Sequence, residues 1–225
     1  MTVKYIDTYG KNWSVAVTGM LSFAYCFLIL PFQIPLAIYS TINYRDLMST
    51  QFLTDKIITL LSLSVPVTIL AIIYSVWKQR RNIKAFTSFF RESELCAPSP
   101  QNIAMNRTGW GYLGLDTRKG TLLYINHPDT TIFNFFFPRD VRVMGFGMYD
   151  WKSIEVEGNK LTIYTGNPEL PTVAITTGKA GEMLEKINAM RNQNWSYEYN
   201  IPGCVELQAK NIAERNGINL VLPPK

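Results

Sequence analysis

The sequence predicts an α+β protein. Two transmembrane helices precede a small antiparallel sheet, bent strongly or rolled into a barrel and closed by a C-terminal helix, and a helical tail follows. Three observations carry this expectation. Two long stretches hold no charged residue, Asn12–Tyr44 over 33 positions and Ile57–Trp77 over 21. From Gly111 to Thr177, short β-type segments alternate with Gly, Asn and Pro turn signals. A single amphipathic stretch, Ala180–Arg191, closes that series, and one helix can plug the open end of a bent sheet.

The spans come first along the chain. A bilayer core about 30 Å thick needs about 20 apolar residues in a helix. Spans are expected at about residues 13–42 and 57–77. The second fits that length, and Tyr74 and Trp77 stand at its end, where amphipathic rings favour the headgroup layer. The first opens at Trp13 and is interrupted by Pro31 and Pro35, which predict a kink rather than two spans. It is too long for the apolar region of a cleaved signal peptide. Directly after the second stretch, Lys78, Arg80, Arg81 and Lys84 form a run of four bases with no acid. The positive-inside rule puts that run, the N-terminus and the large C-terminal part in the cytoplasm. Residues 1–84 therefore read as a multi-pass membrane anchor, with membrane lipid as a partner.

The composition agrees with a chain of unequal parts. Charged residues are 17% and hydrophobic residues 47% of 225, which excludes disorder and collagen-like sequence. A net charge of +5 would ordinarily raise nucleic acid as a partner. Four of those five charges lie in Lys78–Lys84, and residues 85–225 hold 14 bases and 14 acids. The cytoplasmic part is thus neutral, and no nucleic-acid partner is expected.

The remaining elements follow in order. Residues 78–95 continue the second span as a helix, with Ile83, Phe86, Phe89 and Phe90 on one face. Residues 85–102 form this juxtamembrane helix and a linker, ended by Pro98 and Pro100. The folded domain spans 103–192. Its strands are expected at Gly111–Asp116, Thr121–His127, Thr131–Phe137, Asp140–Tyr149, Ser153–Glu157, Lys160–Thr165 and Thr172–Thr177. Gly158-Asn159 marks a hairpin turn. Residues 193–225 are a tail with a helix near Val205–Asn216, stopped by Gly217. Its last apolar run, Leu220–Leu222, would pack on the domain or on a partner.

No catalytic constellation emerges. Gly109, Gly111 and Gly114 match a dinucleotide-binding motif by letter but run into a strand and a turn, where a helix is required. The single histidine, His127, sits beside Pro128 with no nucleophile near it in sequence. Cys26, Cys96 and Cys204 lack metal-site spacing, so no metal and no cofactor is expected. Asp140, Asp150, Glu155 and Glu157 could suggest an acid pair, but Glu155 and Glu157 read as the alternating solvent face of a strand; the chain is expected not to be an enzyme, and a deep pocket lined by Asp140, Asp150 or His127 would reopen that reading. Two aromatic groups are candidate partner surfaces: Phe133, Phe135 and Phe137 in one strand, and Trp195, Tyr197 and Tyr199 in the tail.

Residues 108–192 resemble a bacterial pleckstrin-homology-like domain. The resemblance lies in Gly111–Asp116 with its turn and following strand, Asn159–Thr165, Leu170–Ile175 and the helix Ala180–Arg191. Two spans before such a domain are similar to the entry-exclusion (surface-exclusion) inner-membrane proteins of I-type and L/M-type conjugative plasmids. The resemblance implies a bacterial inner-membrane protein of the recipient. Such a protein blocks redundant conjugative transfer by recognising a donor TraY-type component of the type IV secretion apparatus. It implies no catalytic residues and leaves a homo-oligomer open. The alternative is a membrane-anchored lipid-binding or scaffolding module unrelated to conjugation, motivated by the Lys78–Lys84 cluster.

Overall fold

A computed structural model describes residues 3–5, 24–43, 53–106, 109, 111–126 and 140–223. The chain divides into two units. One comprises Met1–Lys11, Gln79–Asp129 and Arg139–Lys225, the other Asn12–Lys78 and Thr130–Pro138.

In the second unit a π-helical turn, Tyr25–Ile29, runs into α1, Leu30–Ile42, with Pro31 at its start and Pro35 inside. The Tyr25 hydroxyl donates to Gln33 Oε1 at 2.8 Å, which satisfies a buried amide oxygen. Helix α2, Leu53–Glu92, is 40 residues long and belongs to this unit as far as Lys78.

Among the described residues, no helix is long and apolar enough to cross a membrane. This overturns the two-span anchor expected at 13–42 and 57–77, and with it the multi-pass inner-membrane location. Helix α1 has 13 residues, and at about 1.5 Å per residue it falls well short of a bilayer core. From Gln79 onward helix α2 carries charged side chains, and its Ile83, Phe86 and Phe90 are buried in a protein core.

The first unit is built on two separate sheets. The strands are β1 (Val3–Tyr5), β2 (Ile103–Met105), β3 (Gly111–Asp116), β4 (Thr121–Asn126), β5 (Val141–Gly147), β6 (Ser153–Glu157), β7 (Lys160–Asn167), β8 (Leu170–Thr176) and β9 (Leu220–Leu222). The larger sheet has the order β1-β9-β5-β4-β3-β2, and the smaller is the meander β6-β7-β8. Strands β2 to β5 pair antiparallel, whereas β9 lies parallel to both β1 and β5. The α+β class stands, but the single bent or barrel-like sheet closed by one helix does not form. Helices α3 (Ala180–Arg191) and α4 (Ile201–Asn216) complete the unit.

Side-chain alternation along β3 to β5 explains the layering. Tyr112, Leu123, Ile125, Val141 and Val143 point to one face and meet Ile83, Phe86 and Phe90 of α2 with Ile201, Val205 and Ile212 of α4. Leu113, Leu115, Leu122, Tyr124, Met144 and Phe146 point to the other. There they meet Leu161, Ile163, Val173 and Ile175 of the small sheet with Met183 and Ile187 of α3. Both faces of the large sheet are therefore covered, and all six residues of β3 are buried. Close approach of α4 depends on Gly145, where an added Cβ would meet Val205 Cβ at 2.8 Å. Helix α4 begins where Asn200 accepts from the Gly203 N–H at 3.0 Å, and ends at Gly217 with φ 63°.

Candidate recognition surface

The turn joining β3 to β4 gathers two distant parts of the first unit. Asp116 is buried and accepts from the N–H groups of Arg118 and Ala97, both at 2.9 Å. Its carboxylate therefore folds the turn and pins the chain leaving α2 against it. Thr121 donates to the Leu95 carbonyl at 3.2 Å, and the Lys119 ammonium reaches the Glu94 carbonyl and its carboxylate. Cys96 lies in this junction, and burial pushes its thiol up to about 12. A thiol so placed is inert at neutral pH.

From the other side comes the segment after α3. The Trp195 indole N–H donates to the Met190 carbonyl at 2.8 Å, and the ring lies against Gly120, where any Cβ would collide with it and where the φ of 67° also favours glycine. The Tyr197 hydroxyl donates to the Gly120 carbonyl at 2.6 Å and accepts from the Met148 N–H at 2.9 Å. Burial raises the pKa of that hydroxyl, and Asp150 and Tyr149 add to the effect. Tyr149 meets the Tyr197 ring edge-on at 6.2 Å, and its hydroxyl accepts from the Trp195 N–H at 3.1 Å.

These contacts frame a groove of about 340 Å³ lined by Arg118, Lys119, Trp195, Tyr197, Glu198 and Tyr199, among others. Tyr149 is 64% exposed beside it and Tyr199 is 43% exposed. Rigid, partly exposed tyrosines next to an arginine are the side chains that anchor protein interfaces most effectively. Tyr197 is held by two hydrogen bonds, so little rotamer entropy remains to be lost there on binding.

The structure thus brings Trp195, Tyr197 and Tyr199 together at one groove. Phe133, Phe135 and Phe137 lie outside the described residues, as does His127. Lys78, Arg80, Arg81 and Lys84 are exposed on α2, and Arg80 packs its guanidinium against Gly109. Asp150 accepts from the Gly147 N–H at 2.7 Å and serves a turn. Glu155 accepts from the Tyr164 hydroxyl at 2.9 Å across β6 and β7, which raises the Tyr164 pKa. Asp140 is buried at the start of β5. Among the described residues, no group of His, Cys, Asp and Glu could hold a metal ion. Sequence reasoning passed over Tyr149, Arg118 and Lys119, and no periodic signal marks them. The turn residues Asp116 and Gly120 were the available clue.

A family model described as Exclusion-determining protein matches residues 1–219, nearly the whole chain. The chain belongs to that family. Membership supports a role in plasmid entry exclusion and agrees with the resemblance read from the sequence. No curated protein and no solved structure matches the chain.

Proposed function

We propose that the chain excludes redundant conjugative transfer by binding, in the recipient cell, a cognate donor-encoded TraY-type component of the type IV secretion apparatus. The groove of Arg118, Lys119, Trp195, Tyr197 and Tyr199 is its contact surface. The family match over residues 1–219 carries the exclusion role, and the rigid aromatic groove supports recognition by contact. No covalent chemistry is required, because occupying the partner is sufficient to block its use.

Mating into recipients that express this protein alone tests the reading. Transfer of the cognate plasmid should fall, while transfer of an unrelated plasmid stays unchanged. Undiminished cognate transfer would overturn the function. The double variant Tyr149→Ala/Tyr199→Ala removes exposed rings without touching the core. It should restore transfer at unchanged protein level, and full exclusion by that variant would remove the groove from the mechanism.

A further inference from the structure

The β2 edge of the large sheet is a second surface with its own chemistry. Strand β2 is the last strand on that side of the sheet. It pairs with β3 through Ile103↔Gly114, Ala104↔Leu113 and Met105↔Tyr112, and the Asn106 N–H bonds to the Gly111 carbonyl at 3.0 Å. Antiparallel ladders alternate, so Ala104, in phase with Asn106, exchanges its hydrogen bonds with Leu113. The peptide groups of Ile103 and Met105 therefore point away from β3. Among the described residues no strand lies beyond them. Each offers one donor and one acceptor at an open edge.

A helix wall runs beside this edge. Lys84 stands three and four residues before Thr87 and Ser88, and Arg91 four and three residues after them, the period of a single helix face. Together with Ile103, Met105, Tyr112 and Pro98 they line a groove of about 730 Å³. Arg80 continues the same face one turn earlier and packs against Gly109 beyond the β2 end. Arg80, Lys84 and Arg91 form no ion pair among the described residues. Glu92 is the acid at the groove, so the wall carries excess positive charge. Met105 is 49% exposed and offers a pliable apolar contact.

An open strand edge facing a helix across a groove is the arrangement that accepts an extended peptide as an added strand. We propose that this groove binds an extended, acidic peptide segment of another protein. The peptide backbone pairs with Ile103 and Met105, and its carboxylates face Lys84 and Arg91. The main-chain pairing supplies affinity, and the basic wall selects sequence. Because β2 is three residues long, the added strand is short, and charge contributes much of the discrimination. The inference does not depend on the exclusion reading, and a different set of residues carries it.

Panning a display library of random ten-residue peptides on the full-length chain tests it. Recovered peptides should be enriched in Asp and Glu. Their binding should fall about three- to tenfold in Met105→Pro, which removes one outward N–H and leaves the β3 ladder intact. It should fall further in Lys84→Glu/Arg91→Glu, whose changes lie on an exposed helix face. Circular dichroism establishes that each variant retains its fold. Failure to recover any binder, recovery without acidic enrichment, or binding indifferent to both variants would each overturn the proposal.

Discussion

The two faces of the six-stranded sheet are covered in different ways. One face is covered locally: the small sheet, α3 and the strands beneath them all lie between residues 104 and 190. The other is covered by parts remote in sequence, the end of α2 with Leu95 and Cys96 on one side and α4 with β9 on the other. The first face could form from neighbours in the chain. The second cannot form until both flanks have returned to the sheet, and each return must offset loop-closure entropy before packing rewards it. The segments that resemble a linker and a tail are therefore structural, and their separation along the sequence conceals it.

The largest effect that would break this comparison is truncation after Asn192. Loss of α4 and β9 uncovers Val141, Val143, Leu123 and Ile125, and the remaining chain should lose its cooperative melting transition by circular dichroism. A protein that still melts sharply after this truncation would show the second face to be dispensable.

Point substitutions sharpen the same comparison. Phe90→Ala on the remote side should cost about 3–5 kcal/mol by urea unfolding, and Ile187→Ala on the local side about 2–5 kcal/mol. Both side chains are fully buried. If Phe90→Ala were neutral, the end of α2 would not belong to the core.

The smallest expected effect is alkaline. Cys96 sits on the remote face with its thiol raised from 9.0 to about 12 by burial. The folded state holds that proton more tightly than the unfolded chain. The contribution is fully present below pH 9 and is lost as pH rises towards 12. Cys96→Ala should flatten the fall in stability over that range, and an unchanged slope would place the effect on Tyr112 and Tyr124, whose pKa values burial also raises.

Much of the local structure was legible. The segments Gly111–Asp116 and Ser153–Glu157 and the helix Ala180–Arg191 have the same bounds in sequence reading and structure. Their turn residues and apolar period act within a few positions, so propensity and pattern agree. Helix α4 starts at Ile201, four residues before its expected start, because the Asn200 cap and Pro202 set the first turn ahead of the apolar period. Strands β1, β2 and β9 were not legible as strands. Three-residue segments carry no period, and the parallel pairing of β9 with β1 joins residues at opposite ends of the chain. Of the candidate surface, the sequence marked Trp195, Tyr197 and Tyr199, but not the Asp116–Gly120 turn that holds them.

By itself the sequence determined the α+β class, most of the antiparallel strands, both C-terminal helices and the family, since these rest on local pattern and on motifs in linear order. Tertiary structure alone decided that two sheets replace one bent sheet. It also decided that β3 is buried on both faces, and that the aromatic tail meets the β3–β4 turn. A near-continuous apolar run such as Leu122–Ile125 fits burial on both faces but does not say which elements cover them. Only the return of α2 and α4 to the sheet settles which, because burial is a property of the neighbours and not of the strand.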